Sequence, residues 1–162
     1  MTPYCARCGA PTQLADVEGR ERHRCPDCGL VVYLDPKVAV AVVIIERERV
    51  LLGLRGAGTR EPGKWSFPAG FAERGERLEE AAQREALEET GLNVQIDGLI
   101  SLRSANGEPV VTAFYSASIL SGTPTAADDL EALDWFPLAQ PPELAFPHDN
   151  DVLAIAWSLR GR

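Results

Sequence analysis

The sequence has no excess of positive charge, no apolar run of bilayer length, no internal repeat, and no cysteine outside two short pairs. Each absence closes off a class of function. With 24 acidic against 16 basic residues the formal net charge is −8, a field that repels a phosphate backbone and argues against nucleic acid as a partner. The longest apolar run, Val38 to Ile45, is far short of the ~20 residues that cross a membrane as a helix. Met1 to Cys8 contain nothing like the apolar core of a signal peptide. The expected setting is therefore the cytoplasm, with no membrane contact. Only two histidines occur, His23 between the cysteine pairs and His148 in a proline-flanked stretch, and neither is expected to act as a catalyst. A chain of 162 residues accommodates one well-buried core and a small appendage, not two full domains.

What is present begins with the cysteines. They stand as Cys5-Ala6-Arg7-Cys8 and Cys25-Pro26-Asp27-Cys28, each pair followed by a glycine, Gly9 and Gly29. A glycine there frees the backbone to turn so that its amides face the sulfurs. Two such knuckles offer four thiolates, which suits the tetrahedral preference of Zn2+. The alternative, two disulfides, needs an oxidising compartment that nothing else in the sequence supports. Four cysteine ligands close the site, so this zinc is expected to be structural, and His23 is redundant as a ligand. Between the knuckles, residues 12–24 are polar and predict a short hairpin. A zinc ribbon is thus expected over residues 1–34, stabilised largely by its metal. Asp35-Pro36 punctuates the chain, and the second domain is expected over 35–162.

That second stretch predicts a mixed sheet with helices packed on it. Val38 to Ile45 is β-branched and alanine-rich, a buried strand, and after the charged turn Glu46 to Arg49, Val50 to Leu54 returns as another. Residues 56–63 form a glycine-rich loop. Glu76 to Thr90 predicts a helix closed by Gly91 at the position after its C-cap. Strands are expected over Val94 to Leu102 and Val110 to Leu120, a loop over Pro124 to Asp129, and a short strand over Ala132 to Phe136. Phe114 and Tyr115 alternate, so one should face the core and the other the cleft or solvent. Asp149 or Asn150 is expected to cap a final helix with Val152, Leu153, Ile155, Ala156 and Leu159 on its apolar side.

The chemistry concentrates in residues 70–92. On a helix each residue advances about 100°, so Glu85, Glu88 and Glu89 share one face. No basic residue lies three or four positions beyond any of them to relieve their repulsion. A hard divalent cation would, since Mg2+ and Mn2+ prefer carboxylate oxygens. A solvated acidic face is the plain alternative, and the surrounding spacing decides between them.

That spacing, Gly70, Glu76, Arg84-Glu85-Ala86, Glu88-Glu89 and Gly91-Leu92, resembles the Nudix box at every fixed position. The soft departure is Ala86, where the family carries a bulkier apolar residue. The resemblance implies an α/β class fold, the Nudix α/β/α sandwich with a mixed sheet, from Pro36 through the last helix. It implies Glu85, Glu88 and Glu89 as ligands of a catalytic Mg2+ or Mn2+, with Glu85 or Glu89 helping to deprotonate the attacking water. It implies Glu76 as a secondary or water-mediated ligand, the Gly70 carbonyl as a further one, and Arg84 as the arginine that orients a box glutamate. Some members place another catalytic glutamate beyond the sheet; Glu131 is the candidate here, with Glu108 a weaker one.

Zinc ribbons precede Nudix domains in at least two groups. The NADH pyrophosphatases carry an S-Q-P-W-P-F-P motif after the box, and residues 93–111 contain none, which argues against NADH and leaves an NADH pyrophosphatase as the alternative activity. Tyr33-Leu-Asp-Pro-Lys37, Gly63 to Gly70 and Leu144-Ala-Phe146 are more similar to the plant FAD and ADP-ribose pyrophosphatases. The implied activity is metal-dependent hydrolysis of the diphosphate in a nucleoside diphosphate derivative, ADP-ribose or FAD first, releasing AMP. Arg55, at the end of a strand beside the glycine-rich loop, is a candidate phosphate clamp, and Trp65 a candidate surface for base stacking. A nucleotide sensor that binds without cleaving is the alternative from another class. It is disfavoured by the intact box and by a ribbon without basic excess. Members acting on dinucleotide-like substrates are frequently homodimers, and a homodimer is expected.

Overall fold

The computed structural model describes residues 3–34 and 36–160. Asp35, where the sequence places the domain junction, lies outside them. The chain divides into two compact units, Met1–Pro36 and Lys37–Arg162.

In the first unit, strands β1 (Gln13–Val17) and β2 (Arg20–Arg24) pair antiparallel. The turn between them places Glu18 and Gly19 at φ 56° and 77°, the left-handed pair a two-residue hairpin requires. The short β3 (Val31–Val32) completes a three-stranded sheet. Cys5 and Cys25 are buried, among few apolar side chains. That small core leaves the unit short of burial on its own. His23 packs on buried Thr12, with Nδ1 3.2 Å from its Oγ1.

The second unit is built around β4 (Lys37–Glu46), buried from Val40 through Ile45. A strand covered on both faces has no need of alternation, which is why its sequence is a continuous apolar run. Val40, Val42 and Ile44 face one cluster, with Ala81, Ala82 and Ala86 of helix α1 (Leu78–Thr90). Ala41, Val43 and Ile45 face the other, with Val152, Leu153 and Ala156 of helix α2 (Pro147–Arg160). This is an α/β/α sandwich. Around β4 lie β5 (Arg49–Arg55), β8 (Leu92–Ser104), β9 (Val110–Gly122) and β10 (Leu130–Pro137), in the order β10-β5-β4-β9-β8. The β4–β9 pair is parallel and the others antiparallel, so the sheet is mixed. Two strands too short to leave a periodic signal, β6 (Trp65–Ser66) and β7 (Ala69–Phe71), pair with β5 and β4.

Several expectations are corrected. Phe114 and Tyr115 are both buried, one in each cluster, because the sheet is covered on both sides. Helix α2 starts at Pro147, not after Asp149. Proline suits the first helical position, and Asp149, two residues on, reaches back to accept the Phe146 N–H at 3.4 Å. His148 therefore lies in the first turn of a helix, and Leu159, expected on its apolar side, is exposed. Helix α1 starts at Leu78 rather than Glu76, with the Arg77 N–H 3.4 Å from the Glu80 carboxylate at its N-terminus. Its end is as expected: Gly91 takes φ 69° and donates its N–H to the Leu87 carbonyl.

Candidate active site

The late start of α1 shapes the site. Had Glu76 been helical, eight residues would have set it about 12 Å along the axis from Arg84. Instead the preceding turn folds back, with the Glu73 N–H donating to Glu76 Oε2 at 2.9 Å. This brings both Glu76 oxygens onto Arg84, Nε to Oε1 and Nη2 to Oε2, each at 2.9 Å. Arg84 Nη1 donates to Glu85 at 2.8 Å and to Glu88 at 3.0 Å, and Nη2 also donates to the Phe71 carbonyl at 3.1 Å. All five guanidinium N–H groups are thereby used. Arg84 precedes Glu88 by one helical turn, so the relief of repulsion that is missing beyond the glutamates comes from before them.

Glu85 is buried against Gly70, where an added Cβ would fall 2.1 Å from the Glu85 Cδ. Glycine at 70 is thus a steric condition for that carboxylate's place. Glu89, also buried, accepts the Ala69 N–H at 2.8 Å on strand β7. The carboxylates are consequently drawn apart, Glu76, Glu85 and Glu88 toward Arg84 and Glu89 toward β7. Among the described residues, only the four cysteine sulfurs form a metal-competent set within 4.8 Å of one another.

The electrostatics follow the same division. Arg84, then the Glu73 amide, holds the Glu76 carboxyl down to about 2. Burial pushes Glu85 up, against the pull of Arg84 and with Glu88 and Asp128 adding to it. Burial pushes Glu89 up to about 8, opposed by the Ala69 amide and assisted by Glu85 and Asp129. Asp128 and Asp129 were invisible as site residues in the sequence, because nothing in a polar loop marks which helix it crosses. Here that loop lies over the end of α1, where the Thr125 and Ala127 N–H groups donate to the Thr90 and Glu89 carbonyls.

The glycine-rich loop, residues 56–63, borders the same region. Arg55 spends its guanidinium on that loop and its surroundings: Nε donates to the Arg60 carbonyl, Nη1 to Ser66 Oγ at 3.3 Å, and the group rests 5.1 Å from the Phe146 ring centroid. The Asp129 carbonyl accepts the Gly56 N–H at 2.9 Å. Glu131, exposed, accepts the Ala57 N–H at 3.1 Å, and so props the loop. Glu108 forms a two-pronged pair with Arg60, at 3.0 and 3.1 Å. Trp65 is half-buried, edge-on to Phe136 at 4.7 Å between centroids.

In the first unit the four sulfurs gather, Cys5 to Cys28 at 3.5 Å, Cys8 to Cys25 at 3.4 Å and Cys8 to Cys28 at 3.8 Å. Disulfide sulfurs would stand about 2 Å apart, whereas a tetrahedron of ~2.3 Å Zn–S bonds has edges of about 3.8 Å. All four are free cysteines. The Arg7 N–H, foremost, holds the Cys5 thiol down to about 6 and favours the thiolate.

Comparison with known proteins accords with this geometry. The family model described as NUDIX domain matches residues 35–154, and that described as Nudix N-terminal, a zinc ribbon, matches residues 3–34. The chain is 34% identical over 125 residues to a protein of Methanocaldococcus jannaschii named ADP-ribose pyrophosphatase, covering 75% of this chain and 73% of that one. It is 33% identical over 147 residues to a Deinococcus radiodurans protein named NAD-capped RNA hydrolase NudC, covering 87% of this chain and 51% of that one. The chain thus spans about half the length of that second relative. Among solved structures, a NUDIX hydrolase from Nitrosomonas europaea superposes with a TM-score of 0.88 at 30% identity, over 98% of this chain and 93% of that one.

Proposed function

The chain belongs to the NUDIX family, and on that premise we propose that it hydrolyses the diphosphate linkage of a nucleoside diphosphate derivative, ADP-ribose or FAD foremost, releasing AMP. The observation that carries this reading is the convergence of Glu76, Glu85 and Glu88 on one arginine, with Glu89 held alongside by the Ala69 amide. The donor set, carboxylates and the Gly70 carbonyl, is all hard oxygen and fits Mg2+ or Mn2+. Glu85, Glu88 and Glu89 would hold the ion, with Glu76 and Gly70 completing its surroundings. Such an ion supplies an acidified water and neutralises charge on the phosphates.

The chain's own residues do the rest. Arg84 holds the box glutamates in register, and Gly70 leaves room for Glu85. Glu85 or Glu89 accepts the proton of the attacking water. Arg55 offers a guanidinium to a phosphate at the loop, supported by Ser66 and Phe146. Trp65 offers its ring as a stacking surface for the base, and Glu131 props the loop beside Arg55. In the ribbon, Cys5, Cys8, Cys25 and Cys28 hold a structural Zn2+. Free thiols at that spacing suit a reducing compartment, which supports a cytoplasmic setting. Strand β8 ends the sheet with Leu99 and Leu102 exposed, which supports a homodimer; light scattering that returns a monomer mass refutes that part.

The name of the Deinococcus relative qualifies the charge argument against nucleic acid. NADH and an NAD-capped RNA therefore join ADP-ribose, FAD and nucleoside triphosphates in the deciding assay. Product release is followed with Mg2+ or Mn2+, beside Glu88→Gln and Glu89→Gln. AMP released from ADP-ribose or FAD, and lost in the variants, is the expected result. Preference for NADH or capped RNA keeps the chemistry and replaces the substrate. Tight nucleotide binding without turnover would make the chain a sensor instead.

A further inference from the structure

Arg103 lies half-buried on β8, and its Nε is shut off from water with no hydrogen-bond partner among the described residues. No carboxylate forms an ion pair with it among those residues either. A charged donor buried without an acceptor costs stability. An acceptor that arrives from outside would satisfy it.

The register shows where that acceptor would lie. Arg103 stands opposite Thr112, Thr112 opposite Ala39, and Ala39 opposite Phe71. Residues paired across strands share a face of the sheet, so these four form one row, about 14 Å long at ~4.8 Å per strand. The row is open. Ala39 and Thr112 are half-buried, and Phe71 is 48% exposed with Lys37 Nζ 4.9 Å from its ring centroid. The next row along the same face, Ala41 and Phe114, is buried in the α2 cluster and forms a wall. At its Phe71 end the row meets the edge of β7, where the Phe71 carbonyl accepts from Arg84 and the Ala69 N–H donates to Glu89, while Gly70 between them faces Glu85 on the opposite, α1 side of the sheet. A molecule with two moieties joined by a diphosphate is long enough to reach from those carboxylates to Arg103.

We propose that Arg103 is a specificity-determining residue that grips oxygen acceptors of the substrate, along the row Arg103–Thr112–Ala39–Phe71. This rests on the hydrolase reading for the identity of the substrate, but not for the existence of the contact. Two sources could supply the oxygens, a phosphate or a carbonyl of the second moiety, and the assay separates them.

Arg103→Met keeps the length of the side chain and removes its donors; Arg103→Lys keeps the charge. KM and kcat are measured for ADP-ribose, FAD and NADH, binding of the same ligands by calorimetry, and thermal stability in parallel. The expected result for Arg103→Met is a KM at least about tenfold higher with kcat little changed, partial rescue by lysine, and an unaltered or higher Tm. A rise shared by all three substrates identifies phosphate oxygen. A rise for FAD and NADH that spares ADP-ribose, whose cyclic terminal ribose has neither a flavin carbonyl nor a carboxamide, identifies the carbonyl. Unchanged KM for every substrate overturns the proposal, as does a joint fall of kcat and Tm, which would make Arg103 structural. Turnover with unaltered KM leaves the hydrolase reading standing; Arg103-dependent binding without turnover leaves only the Arg103 contact. A wild-type chain that neither binds nor cleaves any of them removes both.

Discussion

Arg84 carries more contacts than its one charge implies. Its planar fork serves Glu76, Glu85, Glu88 and the Phe71 carbonyl at once, and no ammonium has that geometry. Arg84→Lys is therefore expected to keep the net charge and still lose about a hundredfold in kcat through misplaced carboxylates, with thermal stability little affected. A variant within threefold of wild type in steady-state assays would show that the fork is dispensable. Gly70→Ala is the steric counterpart. Its Cβ would overlap the Glu85 carboxyl, so turnover should fall comparably and the Mn2+ concentration needed for half-maximal rate should rise. Unshifted metal dependence would contradict the placement of Glu85.

At the scale of elements, α2 offers a pH test. Burial raises Asp149 from its ordinary 3.8 to about 7, against the pull of the Phe146 amide and of Arg55. Between about pH 4 and 7 the unfolded chain has released this proton while the folded chain keeps it. Folding then takes up a proton, and stability falls as pH rises through that window, levelling above it. Asp149→Asn keeps an acceptor for the cap and removes the titration. Its Tm should gain on wild type steadily from pH 4 to 7, at about 3 °C per kcal/mol for a domain of this size. Parallel curves across the window would show that Asp149 ionises freely.

The same elements show what the sequence could convey. The burial of β4, the run of α1 to Gly91 and the knuckles were legible because each depends on local pattern: a continuous apolar run, a glycine stop, a doubled cysteine spacing. The spacing of the glutamates likewise identified the box. The fold-back of Glu76 onto Arg84 was not legible, since it depends on a turn that delays the start of the helix by two residues. Neither were β6 and β7, too short for any period, nor the approach of Asp128 and Asp129 to the glutamates, which tertiary packing alone creates. The extra contacts of Arg84 fall between these cases: its spacing to Glu88 was in view, but only a structure shows a fork shared by three carboxylates.

For the whole molecule, the two units rest on different sources of stability. In Met1–Pro36 the four sulfurs stand in place of a hydrophobic core, and metal binding there is folding free energy. A strong chelator is expected to release a single Zn2+ per chain and abolish hydrogen-exchange protection in β1 and β2. Protection that survives complete zinc loss would show that the ribbon folds without it. The Lys37–Arg162 unit depends instead on the burial of β4, and on a pairing that spans much of its length. Lys37 to Ile44 lie in parallel against Val110 to Ala117, two segments separated by the entire box. Such long-range parallel pairing forms slowly, because distant segments must meet before any contact rewards them. During synthesis β4, the most apolar strand, leaves the ribosome long before its partner exists. Until Ala117 has emerged, one whole edge of that strand is unpaired and open to other chains. A truncated or stalled product ending between the box and β9 would thus carry every glutamate of the box and still be the form most prone to aggregate.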